Sequence, residues 1–498
     1  MDHEKLKIRL GPIIGKVTYN TARISIEFEY SKEVNEVICI LTSPKGKHVF
    51  CRRKPEKNFP TVFKFEELDP RTLYSVSVHN LPPVKSSFTT LKDKENQSGD
   101  LQFAVISCNE KNTKTKAKNT NQDLWMDLAK RVKLLDYIFH IGNQCYMDRN
   151  EENNEKSPYQ ICKEKLSSTP QEEWNFLSEE LLEVLREQYR KTWSYRPTAY
   201  VLANVPNLMI LDSHEIRDEW GWREEDYNPN TTKIDYFYGQ LARRVYYEYQ
   251  RQLREDIDWE DLQKMKCEYH EHTLNGVGVV LVDYCGSRTW FREDSSQGLH
   301  LGLDQLTWIK DLFSNEGNFN NVNSVMFLSP IPLFFFSHIL VSTKIINEAQ
   351  EQWTSKNNKE LKKLMTILRY WKEQKSGRDI TLISGNVSIG GHTEIFYKGE
   401  RLFKQLTASA INNKLPNRYE ELFKRFFEGM NKKNGNEYSY NHYNWIRENN
   451  YALVEVKTLK GESSVVCNLV YRGTNEVRTQ ESHDNKNWQT KTECCHIF

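Results

Sequence analysis

From residue 6 to about residue 90, apolar and polar positions alternate in short stretches, ARISIEFEY, EVICILTS, TVFKFEEL and LYSVSVHN, set apart by the turn-like PKGK, KNFP and DPRT. Alternation buries one face of each stretch and leaves the other in water, so residues 1–90 are expected to form a small all-β sandwich domain. The segment TTLKDKENQSGD at 89–100 has no apolar periodicity and reads as a linker.

After the linker the pattern changes. Apolar runs stop abruptly at polar clusters: LQFAVIS then CNE, DYIFHI then GNQCYMD, NLMILD then SHEIRD, GVVLVD then YCGSR, SVMFLS then PIP, and DITLIS then GNVS. Runs of this kind suit strands covered on both faces. Between them QDLWMDLAKRVKLL, SEELLEVLREQYRKTW, LDQLTWIKDLF and KELKKLMTILRYWKEQ carry helical spacing. An α/β layered domain over 101–475 follows, and in such sheets the residues just beyond the carboxyl ends of neighbouring strands converge on one crevice. Residues 149–173 and 430–440 are polar, weakly patterned and expected to be surface loops, and 476–498 a flexible polar tail.

Composition narrows the function. The chain of 498 residues is long enough for one large domain and a smaller one. Its 69 Lys and Arg nearly cancel its 68 Asp and Glu, which removes the electrostatic case for a nucleic-acid partner. The first residues, MDHEKLKIRLGPIIGKV, are charged where a signal peptide would be apolar, and SVMFLSPIPLFFFSHILV is broken by Pro330 and Pro332. A cytosolic location is therefore expected, with most of the ten cysteines reduced.

The strand-end clusters supply Cys108 and Asn109; Asn143, Tyr146 and Asp148; Asp212, Ser213, His214 and Glu215; Asp283 and Arg288; and Asn386, Ser388 and His392. Taken singly, each has a bland reading. Cys108 is then a buried thiol and His214 a core histidine bonded to a carboxylate. Asp283 with Arg288 becomes an ion pair beneath the site, and His392 part of a loop surface. Taken together, the clusters have the layout of a two-metal hydrolytic centre, but several side chains lack the charge such a centre needs.

In the order GPIIGKVTYNTARISIEF, ISCNE, HIGNQCYMD, ANVPNLMILDSHEIRDEWGW, LGLDQLTWIKDLF and SGNVSIGGHTEI, from about residue 8 to about 472, the chain resembles the alkaline phosphatase D-like (PhoD-like) metallophosphatases. The resemblance implies a four-layer calcineurin-like metallophosphatase sandwich preceded by a small immunoglobulin- or fibronectin-like β-sandwich. It also implies a divalent or iron/calcium-type metal pair, with a metal-bound water or hydroxide attacking phosphorus. By motif position Cys108 and Tyr146 match metal ligands, and Asn143 stands where the family has its bridging Asp. Ser213 replaces an Asp or Asn, Asn386 an acid, and Ser388 a His. Asp212, His214 and Arg288 take the catalytic positions, and Asp148, Glu215 and His392 are the available substitute ligands. An Asn oxygen bridges dications poorly and a neutral hydroxyl is a weak ligand, so the metal pair is expected to be lost or reduced. Three functions remain open: a pseudophosphatase binding a phosphorylated ligand or partner, a phosphoester hydrolase using one ion or substitute ligands, and a membrane-tethered interaction module.

The last four residues, Cys495, His496, Ile497 and Phe498, form a C-a-a-X box, and its terminal Phe favours geranylgeranyl. Neighbouring Cys494 could take a palmitoyl group as the second membrane signal. Attachment to the cytosolic face of a membrane, in a eukaryotic cell, is the expectation these residues carry.

Overall fold

The fold is that of a computed structural model. It describes residues 6–110, 123–149, 155–287, 300–335, 358–413, 432–471 and 478–480, apart from interruptions at 94, 97, 222, 224–225, 227, 229–232, 263–264, 266, 388, 435–436, 447 and 460–461. Arg288, Ser388, Cys494 and Cys495 lie outside the described residues.

The alternating N-terminal stretches become two antiparallel sheets. One orders β1 (Leu6–Val17), β2 (Ala22–Tyr30) and β5 (Thr61–Phe65). The other orders β4 (His48–Arg53), β3 (Val37–Thr42), β6 (Leu73–Val78) and β7 (Ser87–Thr89). Their inward side chains, among them Ile24, Ile26, Phe63, Leu41, Tyr74 and Val76, share one core. Cys39 and Cys51 face each other across β3 and β4, and both are free thiols.

Two further sheets build the larger part. The first runs β10 (Asn207–Ile210), β9 (Tyr137–Ile141), β8 (Leu101–Ile106), β19 (Asn450–Leu459), β20 (Glu462–Tyr471) and β21 (Arg478–Gln480). The second runs β11 (His270–Leu274), β12 (Val277–Leu281), β13 (Ser324–Ser329), β14 (Asp379–Ser384), β16 (Glu400–Thr407), β15 (Gly390–Tyr397), β18 (Tyr438–Ile446) and β17 (Lys432–Asn434). Phe103, Val105, Phe139 and Ile210 of the first sheet pack on Val279, Leu281, Met326 and Ile383 of the second. The remaining face of the second sheet packs on α6 (Gly302–Leu312) and α7 (Asn358–Gln374), and that of the first on α1 (Leu124–Arg131) and α4 (Arg196–Leu202). Strands buried on both faces must be continuously apolar, which explains YIFHI, VGVVL and SVMFLS.

Two segments expected to be loops are regular. Residues 158–167 form α2, begun by a capping box in which the Ser157 hydroxyl accepts from the Gln160 backbone and the Gln160 side chain accepts from the Ser157 N–H. Its apolar positions, Cys162 and Leu166, pack against α3 (Trp174–Trp193) and α5 (Lys233–Tyr249). Residues 432–434 and 438–446 are β17 and β18, and along the start of β18 half-buried Ser439 and Asn441 alternate with buried Tyr438 and Tyr440. The linker is pinned rather than free: Lys92 N–H donates to Asn275 Oδ1, Gly99 N–H to Asn275 O, and Leu91 is buried.

The sandwich and the larger part share buried chemistry. Glu27 on β2 accepts from Arg190 Nε of α3 at 2.7 Å and from Tyr249 Oη of α5 at 2.8 Å, and burial raises its pKa against these favourable partners. Leu10 and Ile13 of β1 also pack among the α3 and α5 side chains. Without Glu27 the Arg190 guanidinium keeps Glu183 and Glu187, but its Nε and the Tyr249 hydroxyl lose their buried acceptor. Glu27→Ala should therefore lower unfolding free energy by about 1–3 kcal/mol, read from the urea midpoint of the full chain.

Candidate functional site

Strands β8, β9, β10, β12 and β14 end side by side, and the first residues beyond them form the crevice. Cys108, Asn143 and Asn386, each two residues past its strand, adopt φ of 49°, 57° and 53°. Left-handed backbone is uncommon for such residues and here turns the chain away while the side chain points inward. Gly142 supports the same bend at φ 97°; a Cβ there would lie 2.4 Å from Asp212 Cβ.

Asn143 is the centre. Its Oδ1 accepts from the His214 backbone N–H at 3.0 Å, which fixes the amide's orientation and aims Nδ2 into the crevice. Nδ2 lies 2.7 Å from Asp212 Oδ2, 3.1 Å from Asn386 Oδ1 and 3.8 Å from Cys108 Sγ. Cys108 Sγ in turn donates to Asn386 Oδ1 at 3.7 Å. Burial, with the nearby Asp212 charge second, pushes the Cys108 thiol up to about 12, so it stays protonated.

Glu215 ties the strand exits together. Its carboxylate accepts from the backbone N–H of Asn143 (2.9 Å), Asp212 (3.0 Å) and Gln144, and from Gln250 Nε2 at 3.3 Å. Burial and then the Asp212 charge push its carboxyl up to about 7. Ser213 opens the 3-10 turn Ser213–Glu215, and its carbonyl accepts from Ile216 and Arg217. The turn thus points Glu215 at the backbone and leaves His214 toward the rim.

His214 stacks on Tyr146 with ring centroids 4.3 Å apart, and its Nδ1 lies 2.9 Å from Asp148 Oδ2. Burial would lower the imidazole's pKa, but the hydrogen bond and charge of Asp148 outweigh it, and the net shift is upward. Asp218 Oδ1 lies 3.8 Å from His214 Nε2, so Asp148, His214 and Asp218 offer ligand atoms within 4.8 Å of one another. Sequence reasoning missed Asp218, although it stands four residues after His214 in the same polar cluster.

The crevice therefore collects Cys108, Asn143, Tyr146, Asp148, Asp212, Ser213, His214, Glu215 and Asn386. Cys285 joins it through an Sγ contact to Asp212 Oδ1 at 3.3 Å. Asp283 works beneath, accepting from the N–H of Cys285 and Gly286 and from Ser287 Oγ. His392 lies buried inside β15, opposite Leu406 and Tyr443, rather than on a loop surface.

This donor set does not fit a bridged pair of divalent ions. The point on which Asp212, Asn386 and Cys108 converge is taken by the Asn143 NH2, a donor, and the side chain that should bridge carries no charge. A single cation is better served at Asp148, His214 and Asp218, where it would displace the Asp148–His214 hydrogen bond.

The fold is shared with the solved structure of PhoD, which matches with a TM-score of 0.68 at 11% identity, over 97% of this chain and 90% of that one. A purple acid phosphatase, PPD1 from yellow lupin (Lupinus luteus) seeds, matches with a TM-score of 0.54 at 11% identity, over 92% of this chain and 71% of that one. The PhoD-like phosphatase family model matches residues 103–270, which support that family and include every crevice residue up to Glu215. No curated protein matches the sequence. Among the described residues no helix is long and apolar enough to cross a membrane.

Because the folded pKa of His214 lies above its ordinary 6.5, protonated His214 stabilises the fold below that pH, and the contribution fades as pH rises through the folded value. Asp148→Asn removes the partner. Its His214 resonances, assigned by difference from His214→Asn, should titrate at lower pH than in the native protein, and the pH dependence of stability should flatten in step.

Proposed function

We propose that the chain is a PhoD-like pseudophosphatase, whose crevice holds a phosphorylated ligand or partner without turning it over. One observation carries the reading: the Asn143 amide, locked by the His214 N–H, satisfies Asp212 and Asn386 by hydrogen bonds, where the family would use cations. With Asn143 as the donor, the Asp212 carboxylate and the Asn386 amide oxygen are hydrogen-bonded without a cation between them. An Asp at 143 would instead set two carboxylates against each other within about 3 Å, a repulsion that only a cation or proton relieves. Groups suited to a phosphate remain at the rim, where His214 is shifted toward its protonated form and Arg149 lies near Asp148 and Tyr146.

The test is elemental analysis of the purified protein beside a variant carrying Asn143→Asp, Ser213→Asn, Asn386→Asp and Ser388→His. The native protein should carry no stoichiometric metal, and the variant should take up metal and hydrolyse bis(p-nitrophenyl) phosphate. Two tightly held ions in the native protein would overturn the proposal.

A second reading has its own observation. The cluster of Asp148, His214 and Asp218 favours a hydrolase that works with one ion held at the rim. On that reading the native protein binds one divalent ion, and both the ion and any phosphodiesterase activity vanish in Asp148→Asn with Asp218→Asn. Activity that survives both changes would exclude it.

A further inference from the structure

Away from the crevice, a cavity of about 450 Å³ opens where the sandwich meets the segment after α5. Its volume falls in the range of small-ligand sites, which run from roughly 300 to 1,000 Å³. Its walls come from both parts of the chain, β2, β4 and β5 on one side and Gln252 to Trp259 on the other.

Two features give the cavity a chemistry. The first is charge. Arg23, Arg53, Lys54 and Lys64 line it against the carboxylates of Glu56 and Asp256, which leaves the wall with two positive charges in excess. Asp256 is already engaged by Arg23 Nη2 at 2.9 Å and Lys64 Nζ at 2.6 Å, and Lys54 meets Glu33 at 3.2 Å on the outside. Arg53 forms no ion pair among the described residues, so its guanidinium is the cation at hand. The second feature is aromatic. Phe59 and Trp259 lie side by side, centroids 5.4 Å apart and tilted by 56°. Each ring is held by a guanidinium, Phe59 by Arg186 at 5.5 Å and Trp259 by Arg244 at 6.0 Å. Arg186 is itself locked by Glu248 through two 2.7 Å hydrogen bonds, so the Phe59 side of the platform is preorganised.

We propose that this cavity binds a small phosphorylated aromatic ligand of the nucleoside monophosphate class. The ring stacks on Trp259 and Phe59, and the phosphate, which carries close to two negative charges at pH 7, meets Arg53 with Lys54 beside it. This site is separate from the crevice and does not depend on the reading of Asn143.

The experiment is isothermal titration of the full-length protein with AMP, GMP, CMP and UMP, each beside its nucleoside, inorganic phosphate and benzoate. At least one monophosphate should bind, and its nucleoside, phosphate and benzoate should each bind at least about tenfold more weakly. Arg53→Gln, an exposed position, and Trp259→Ala should each weaken binding about tenfold, while Trp259→Phe should retain it. If Trp259→Ala fails to fold by its thermal transition, Arg53→Gln decides alone. Absence of heat with all four monophosphates at millimolar concentration overturns the proposal. So does binding untouched by Arg53→Gln, which would place the nucleotide elsewhere, or binding of benzoate as tight as that of the nucleotide.

Discussion

The Glu215 carboxylate holds the crevice in shape. Three backbone N–H groups and one amide donor converge on it from the exits of β9 and β10 and from the end of α5. Strand exits carry unpaired N–H groups by necessity, and burying them without an acceptor would cost about 1–3 kcal/mol each. One side chain answers several of them at once, and it does so from a turn that also orients His214 and positions the amide of Asn143. Glu215 fixes the bend at Asn143 directly through that residue's N–H; asparagine at 143 and 386 tolerates left-handed backbone, whereas the thiol of Cys108, at φ 49°, brings no such preference.

Seen from that anchor, the substitutions at 143 and 386 change less than they first suggest. Asn and Asp have nearly the same shape, and both tolerate positive φ. The backbone path is therefore indifferent to which is present, and what changes is the sign of the interaction at the centre, from anions that need a cation to donors and acceptors that satisfy each other.

Much of this was legible in the sequence. The strands that feed the crevice are apolar runs cut off by polar residues: all six runs became strands, and five of them, β8, β9, β10, β12 and β14, end at the crevice. The coarse alternation before residue 90 likewise announced two antiparallel sheets. Helix α2 was hidden because its polar and charged residues, Gln160, Lys163, Glu164, Lys165 and Ser167, outnumber its buried face of Pro158, Cys162 and Leu166. Helix α5 went unnoticed because only Leu241, Ala242 and Val245 of its buried positions are aliphatic, the rest being mostly tyrosines, Tyr238, Tyr246, Tyr247 and Tyr249, with the charged Asp235 and Glu248. At the site, residue identity was readable but contact geometry was not. That Asn143 presents nitrogen rather than oxygen to Asp212 follows from a backbone N–H that is 71 positions away in the chain. Asp218 escaped for a related reason, since its proximity to His214 depends on how the chain leaves the 3-10 turn.

Strand β1 serves two masters. Ile14 and Val17 belong to the sandwich core, while Leu10 and Ile13 belong to the core built by α3 and α5. A fragment cut after residue 90 would carry the second pair into water beside a bare Glu27, and the remainder would lose the strand that seals it. The N-terminal sandwich is thus not a cassette that could be traded between chains or lifted out as a reagent; in any lineage that keeps this packing, the two parts are inherited together.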